Sequence, residues 1–218
     1  VIGDMYSYGQ GVEQSEEKAL EWKCKAIENG HFISAAYYDG RFKDGVPSQI
    51  IDALIKASQN GYKDAKNYLA QLYLSGKAKC EDPKVALDIF TEAANEGNLE
   101  SKYQLALLYL QKHYPLHKYY VNHDIQKAKN LLTSLVDIYE ENPYLDNGEL
   151  PACVKGAYYN IGKMYLSGSC VPKDESIALE HFKKAATNGA HLALVALVKI
   201  QKKRFKNIAD FYKPMSNK

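Results

Sequence analysis

The sequence predicts an all-α protein, an α/α solenoid of about five repeated helix pairs that ends in a C-terminal capping helix. Two short motifs alternate along the 218 residues, and in both of them apolar residues recur at i, i+3 and i+4. That spacing places the apolar side chains on one face of a helix. Because a single amphipathic helix pair buries its apolar faces only against neighbouring pairs, the repetition predicts a solenoid.

The first motif carries a small residue followed three positions later by an aromatic residue, as in Gly3 and Tyr6. The motif occurs five times, and its aromatic anchors are Tyr6, Phe42, Tyr73, Tyr109 and Tyr165. The longest interval between anchors follows Tyr109. It predicts that the fourth repeat carries insertions near 111–124 and 141–151.

The second motif begins with Ala-Leu and ends at a glycine. It is clear at 19–30, 86–97 and 178–189, and degenerate copies end at Gly61 and at Leu135. Glycine adopts a positive φ at little cost, so we predict that the second helices end at Gly30, Gly61, Gly97 and Gly189. Asp174 precedes the last copy and is a suitable N-cap residue.

The alternation of these two motifs resembles the Sel-1-like repeat family, a relative of the tetratricopeptide repeats. The resemblance covers positions 1 to about 191 and is strongest in the first, third and fifth repeats. It implies a right-handed superhelix whose first helices line a concave groove. It also implies a non-enzymatic scaffold or adaptor that binds a protein or peptide in that groove.

Two other functions stay open beside the adaptor. The chain is alternatively a regulatory repeat domain of a larger multidomain enzyme, for example a kinase tail or a synthase activator. The third possibility is a cryptic hydrolase whose site is dispersed among the repeats. Sequence upstream of Val1 would separate the first two functions, and an activity screen would expose the third.

The domain organisation follows from where the pattern stops. We expect a single solenoid over 1–205, truncated at its N-terminus because the chain starts at Val1 inside a motif, and a tail over 206–218. After Gly189 the pattern restarts, but Gln201 takes the aromatic position and basic residues follow. We therefore predict a capping helix at 192–205. The alternative for this basic end is contact with phosphate or an anionic membrane.

The overall charge argues against nucleic acid as a partner. The chain has 28 Lys and Arg against 26 Asp and Glu, a net charge of +2, which is too small for a broad positive field. No stretch approaches the roughly 20 apolar residues of a membrane span, so direct membrane insertion is not expected. The lack of an Asn-x-Ser/Thr sequon and of a disulfide pattern favours an intracellular setting, and the oligomeric state stays open.

A search for chemistry finds no catalytic, cofactor-binding or metal-binding residues. His113, His117 and His123 lie in the first insertion, but Pro115 interrupts a shared helical face and no carboxylates complete a ligand set. His181 occupies a second-helix position that Trp22 fills in the first repeat, which favours a structural role. Nucleophile, phosphate-loop and zinc-protease motifs are absent, so the sequence predicts a protein that is not an enzyme.

The helical wheel of the first helices predicts a partner-binding face. With the repeat Leu or Ile as reference and about 100° per residue, the positions two before, two after and five after it point away from the core stripe. These positions are Asn67, Gln71 and Leu74 in the third repeat, Tyr103, Leu107 and Leu110 in the fourth, and Tyr159, Lys163 and Leu166 in the fifth. All except Asn67 are our candidate partner-binding residues. The alternative is that neighbouring first helices bury much of these side chains between them.

Overall fold

The chain folds into helices wherever the structure describes regular elements. The structure is a computed structural model, and it describes residues 1–32, 45–78, 84–110, 123–142 and 150–212, with side chains as far as residue 206. Over these residues there are ten helices and no strand, which confirms the all-α prediction. The helices are α1 (Ile2–Tyr8), α2 (Glu16–Glu28), α3 (Ser48–Gln59), α4 (Lys63–Leu74), α5 (Lys84–Asn95), α6 (Leu99–Leu110), α7 (Ile125–Glu141), α8 (Ala152–Ser167), α9 (Glu175–Thr187) and α10 (His191–Tyr212).

The helices fall into two compact parts, an N-terminal lobe, Val1–His123, and a C-terminal lobe, Asp124–Lys218. In the N-terminal lobe α1 packs on α2, and α2 to α5 each pack on the next described helix. The C-terminal lobe repeats this arrangement from α7 to α10. Helices consecutive in sequence are therefore neighbours in space, as a repeated helix pair requires. The single solenoid over 1–205 with a separate tail stays a prediction.

Four second helices end beside their predicted glycines, whereas α7 in the fourth repeat continues to Glu141, past Leu135 where its degenerate motif ends. Asp174 accepts hydrogen bonds from the backbone N–H groups of Ser176 (2.8 Å) and Ile177 (3.0 Å), which confirms it as the N-cap of α9. Backbone φ is positive, between 85° and 89°, at the four closing glycines Gly30, Gly61, Gly97 and Gly189. A side chain at these positions would strain the backbone, so the glycines end the helices for a steric reason.

Every second helix has a buried side chain one residue after the position that Trp22 occupies. Four repeats fill this position with a large apolar side chain that is fully buried, and the first repeat fills it with a buried lysine. The residues are Lys23, Leu54, Phe90, Leu132 and Phe182. By contrast, the aromatic anchors Tyr6, Tyr73, Tyr109 and Tyr165 are only half-buried. The anchors therefore lie at the margin of the core.

The capping helix is longer than predicted. It begins at His191, one residue before the predicted start, and continues past Phe205 to Tyr212. The first helix of the second repeat, expected around Phe42, lies outside the described residues. In the part of the chain that the structure describes, no helix is long and apolar enough to cross a membrane.

Candidate partner-binding face

In the N-terminal lobe, α4 and α6 carry five of the candidate partner-binding residues. Gln71 and Leu74 on α4 are half-buried, and so are the three candidates on α6, Tyr103, Leu107 and Leu110. The reference residues of the wheel, Leu69 and Leu105, are buried at 6% and 4% exposure. The predicted core stripe is therefore confirmed, and the candidate side chains are neither inside it nor fully solvated.

The structure corrects the helical-wheel prediction for Asn67. Its position predicts a side chain that points away from the core, but its exposure is only 6%. Its Oδ1 atom accepts a hydrogen bond from the Oγ atom of Ser101, which is completely buried, at 3.2 Å. Asn67 therefore belongs to the contact between the two first helices, where a buried polar side chain needs a partner.

A second polar contact joins the same two helices. The Nδ2 atom of Asn98 donates to Oδ1 of Asp64 at 2.8 Å, while Oδ1 of Asn98 accepts from the backbone N–H of Ser101 at 2.7 Å. Asn98 thus begins α6 and fixes the start of α4 beside it. These bonds set the spacing of the two helices, and with it the spacing of the candidate side chains that they carry.

The remaining candidates lie on α8 in the C-terminal lobe. Tyr159 is half-buried, and its ring lies 5.8 Å from the ring of Phe182. Lys163 is exposed, and its Nζ atom lies 5.6 Å from the centre of the Tyr159 ring. Leu166 is half-buried. This face therefore offers an aromatic ring with a cation over it, beside an aliphatic side chain.

An ordered polar cluster lies behind this face, between α7, α8 and α9. The Oε1 atom of Glu140 accepts from Nζ of Lys184 and from the hydroxyl of Tyr158, both at 2.6 Å. Both bonds favour the ionised carboxylate, so they lower the pKa of Glu140, and Lys184 has the larger effect. Burial, aided by the same carboxylate, raises the pKa of Tyr158.

His181 lies between two tyrosine rings in the same cluster. Its ring is stacked on Tyr165 at 5.9 Å and tilted against Tyr158 at 5.9 Å. Burial lowers the pKa of His181, and the nearby charge of Lys184 adds to the effect. Its buried Nδ1 atom has no hydrogen-bond partner among the described residues. The cluster lines a cavity of about 180 Å³.

This cluster explains His181 as a packing residue, as its repeat position indicated. Glu140 and Lys184 neutralise each other, and the hydroxyl of Tyr158 is held by Glu140. The hydrogen bonds at Glu140 join α7, α8 and α9, and so support the helix that carries Tyr159.

The first repeat has a polar core that its sequence motif does not predict. Lys23 is 4% exposed, and its Nζ atom donates to Oγ of Ser7 at 3.1 Å and lies 3.8 Å from Oδ1 of Asp4. Ser7 itself is 1% exposed. The available signal was a lysine at a position where the other second helices carry Leu or Phe.

Only some of the histidines and cysteines that could bind a metal or form disulfides are described. Of the three histidines in the first insertion, only His123 is described, and His113 and His117 lie outside the described residues. Over the described ranges, no group of three His, Cys, Asp or Glu side chains is arranged to hold a metal ion. Cys24, Cys153 and Cys170 are not joined in disulfides, and Cys80 lies outside the described part. The insertions near 111–124 and 141–151 are likewise mostly outside it.

Comparison with known proteins agrees with the repeat pattern. The model of the Sel1 repeat matches residues 2–31, 63–98 and 156–189. These segments are the first, third and fifth helix pairs, the repeats in which the motif was strongest. No curated protein sequence matches the chain.

Solved structures show a related fold. A Sel1 repeat protein from Oxalobacter formigenes aligns with a TM-score of 0.60 and 23% identity, covering 90% of this chain and 72% of its own. The Escherichia coli protein c5321, a protective antigen of uropathogenic strains, aligns at 24% identity and a TM-score of 0.42. That alignment covers 91% of this chain and 47% of c5321.

A Sel1 repeat protein from Klebsiella pneumoniae aligns at 18% identity and a TM-score of 0.46, covering 92% of this chain and 90% of its own. Only the Oxalobacter alignment is close enough in geometry to support the fold. The three matched segments show that the chain carries Sel1 repeats at 2–31, 63–98 and 156–189.

Proposed function

We propose that this chain is a non-enzymatic scaffold or adaptor that binds a protein or peptide along the face of its first helices. Sel1 repeat proteins generally mediate protein–protein interactions, and the family is typically non-enzymatic. Repeat architectures suit this role because stacked helices present long surfaces with many shallow contacts. A screen of the purified protein for esterase, peptidase and phosphatase turnover is expected to find none above background.

One observation carries the proposed binding face. On α6 an aromatic and two aliphatic side chains, Tyr103, Leu107 and Leu110, occupy the outer positions of the wheel and remain half-buried. Solvent therefore reaches part of each side chain, while the rest is supported by packing. Tyrosine and aliphatic side chains in such supported positions are common anchors in protein interfaces.

Neighbouring residues would extend the face in each lobe separately. Leu74 and Gln71 on α4 add an aliphatic and an amide side chain beside α6, where the Asn67–Ser101 hydrogen bond fixes the spacing. In the C-terminal lobe, Tyr159, Lys163 and Leu166 form a second group in which a cation lies over an aromatic ring. A partner of the C-terminal group would present apolar side chains and, at Lys163, a carboxylate.

The test compares two triple variants of equal size. Tyr103→Ser, Leu107→Ser and Leu110→Ser removes the proposed anchors on α6. Changing Val85, Leu87 and Ile89 to Ser alters exposed or half-buried apolar residues of the second helix α5 instead. We expect partner capture from the native extract to fall about tenfold or more, a loss of about 1.4 kcal/mol, for the first variant only.

A photo-crosslinking residue strengthens this comparison because it reports contact directly. Placed at Leu107, it is expected to label captured partners, whereas the same residue at Val85 is not. Both triple variants must first keep their helical circular dichroism and a cooperative unfolding transition. A folded first variant that captures partners as strongly as the native chain would place the binding surface elsewhere. Loss of folding in that variant would identify Tyr103, Leu107 and Leu110 as core residues.

A further inference from the structure

The capping helix α10 exposes a ridge of large apolar side chains. Leu194 is 53% exposed, Val198 is 42% exposed and Phe205 is 71% exposed. At about 100° per residue these three positions lie within about 40° of one another, so they form one stripe along the helix. The opposite side of α10 is anchored to the protein by Ala193 and Ile200, which are buried. The helix is therefore apolar on two sides, and only one of them is packed.

The repeat register shows what kind of surface this ridge is. Leu194 and Val198 occupy the positions that Tyr158 and Gly162 occupy in α8. In the fifth repeat those positions face the second helix α9, where Tyr158 lies 5.9 Å from the ring of His181 and Gly162 approaches Phe182 closely. The exposed stripe on α10 is thus the surface that a second helix covers elsewhere. Within the described residues no helix covers it.

A row of lysines runs beside the ridge. Lys199, Lys202, Lys203 and Lys206 are all exposed, and at about 100° per residue they lie on the flank between the ridge and the far side of the helix. Among the described residues none of the four makes an ion pair. From 191 to 206 the helix contains no Asp or Glu. Its natural partner is therefore an apolar surface with carboxylates along one edge.

A surface of that kind lies on the N-terminal lobe of the same chain. The second helices α2 and α3 form an open groove of about 450 Å³. Leu20, Cys24 and Ala53 provide its apolar lining. Its acidic residues are Glu17, Glu21, Glu28 and Asp52, and its basic residues are Lys25 and Lys56.

The charges in the groove leave two carboxylates for a partner. Lys25 pairs with Glu21 at 2.7 Å and Lys56 pairs with Glu28 at 3.0 Å. Glu17 and Asp52 are exposed and have no ion pair among the described residues. One of these carboxylates is supplied by α2 and the other by α3. A basic helix that lies along the groove would meet a negative charge from each helix.

We propose that α10 of one copy docks in the α2–α3 groove of a second copy, so that the protein associates head to tail. The lengths agree, since the ridge from Leu194 to Phe205 spans about 17 Å, and α2 and α3 span about 20 Å and 18 Å at 1.5 Å per residue. Charge complementarity selects this arrangement over a symmetric one. In an α10–α10 contact the two lysine rows would repel each other.

The two surfaces of the proposed interface differ, and this determines which assemblies can form. Each copy offers one ridge and one groove, so the interface is heterologous and growth continues beyond two copies unless a ring closes. Reversing the charges of the ridge on one copy and of the groove on another leaves two complementary contacts between them, because the native ridge meets the native groove and the reversed ridge meets the reversed groove. A mixture of the two variants must therefore regain the association that each variant alone has lost.

The experiment is sedimentation velocity over a dilution series. The native chain is expected to gain mass with concentration and to lose that gain in high salt. The ridge variant Lys199→Glu/Lys202→Glu and the groove variant Glu17→Lys/Asp52→Lys are each expected to bind at least tenfold more weakly and to remain monomeric. Their equimolar mixture is expected to gain mass with concentration again, because each altered surface finds a complementary one on the other variant. A single chain with all four changes is expected to associate for the same reason.

Matched controls separate charge complementarity from charge alone. Lys173→Glu/Lys183→Glu changes two exposed lysines outside α10 by the same charge, and this variant is expected to associate like the native chain. A native chain that is monomeric at every concentration would overturn the proposal. So would a mixture that stays monomeric. If the native monomer instead sediments with vesicles of phosphatidylserine and phosphatidylcholine, and the ridge variant does not, a membrane surface is the occupant and the proposal is wrong.

Discussion

The first and fifth repeats share one backbone arrangement but fill their cores with opposite chemistry. In the pair α1–α2, a Cβ atom added to Gly3 would lie 3.1 Å from the carbonyl oxygen of Ala19. In the pair α8–α9, a Cβ atom added to Gly162 would lie 3.2 Å from the carbonyl oxygen of Ala178. These glycines and alanines hold the same motif positions. The motif therefore encodes how closely the two helices of a pair approach.

The side chain that meets each glycine is where the two repeats differ. Against Gly162 lies the ring of Phe182, which is fully buried and makes no polar contact. Against Gly3 lies the stem of Lys23, whose Nζ atom reaches Ser7 and Asp4. The first repeat thus replaces an aromatic core by a buried polar one. A buried amine is tolerated only because its donors find partners.

The comparison predicts that the fifth repeat depends more on its core side chain. Phe182→Ala removes a fully buried ring and is expected to lower the free energy of unfolding by about 3 to 5 kcal/mol. Lys23→Ala, at the same position of the first repeat, is expected to cost less because its apolar contact is smaller. Urea unfolding followed by circular dichroism measures both. Equal losses would show that the polar core contributes as much as the aromatic one.

The glycines provide a second comparison, with a smaller expected effect. In Gly162→Ala the new methyl group would lie 2.8 Å from the Phe182 ring, which is confined in the core, so we expect a loss of about 1 to 3 kcal/mol. Gly3→Ala meets the flexible stem of Lys23 at 2.9 Å and is expected to cost less. The double variant Gly162→Ala/Phe182→Leu is expected to be non-additive, since the smaller side chain relieves the clash. Strict additivity would contradict the proposed contact.

The buried amine itself can be replaced. Lys23→Met keeps an unbranched chain but leaves Oγ of Ser7 buried without its donor, so we expect a loss of about 1 to 2 kcal/mol. Adding Ser7→Ala removes the orphaned group, and the double variant is expected to return to the native free energy of unfolding or exceed it. Hydrogen exchange of the α2 amides reports the change locally. A double variant no more stable than Lys23→Met would show that the Ser7 contact is not the one lost.

The fold was predictable because its main signals are local. A glycine at the end of a second helix, Asp174 at the start of α9 and the apolar stripe through Leu69 each depend on a few neighbouring residues, and each was read correctly. How deeply each side chain is buried was harder to predict from the sequence. The aromatic anchors are the most visible residues of the motif, yet they are only half-buried, while Phe182 is fully buried. Burial depends on how two helices cross, and the motif does not specify that.

The binding face shows the same limit. A helical wheel gives only the angular positions of residues around one helix. It therefore distinguishes the buried face with Leu69 from the face with Gln71, but it contains no information on neighbouring helices. Asn67 was therefore placed on the outer face, although Ser101 of the next first helix buries it. The polar core around Lys23 was not predictable for a related reason. A lysine at an apolar position signals an exception, but only the structure shows that Ser7 lies within reach.

The last comparison concerns pH and the position shared by Trp22 and His181. Trp22 does not titrate, whereas burial lowers the pKa of His181. The unfolded chain therefore takes up this proton at a higher pH than the folded protein does. The free energy of unfolding must fall as the pH drops through the ordinary histidine pKa of about 6.5, and it continues to fall until the folded imidazole is protonated.

Glu140 contributes in a separate, more acidic range. The hydrogen bonds from Lys184 and Tyr158 lower its pKa, so its stabilising contribution is complete above the ordinary glutamate pKa of about 4.3. That contribution is lost only as the pH falls through the lower pKa of the folded state. A measurement between about pH 7.5 and about pH 5.5 therefore isolates the histidine from this carboxylate.

His181→Phe keeps an aromatic ring between Tyr158 and Tyr165 and removes the titrating group. We expect the difference between the free energies of unfolding at about pH 7.5 and about pH 5.5 to become smaller than in the native chain. The matched control is His191→Phe, which removes an exposed histidine on α10. If both variants keep the native difference, the pH dependence does not come from His181. In that case the imidazole is protonated in the folded state as readily as in the unfolded chain, despite its place between the two rings.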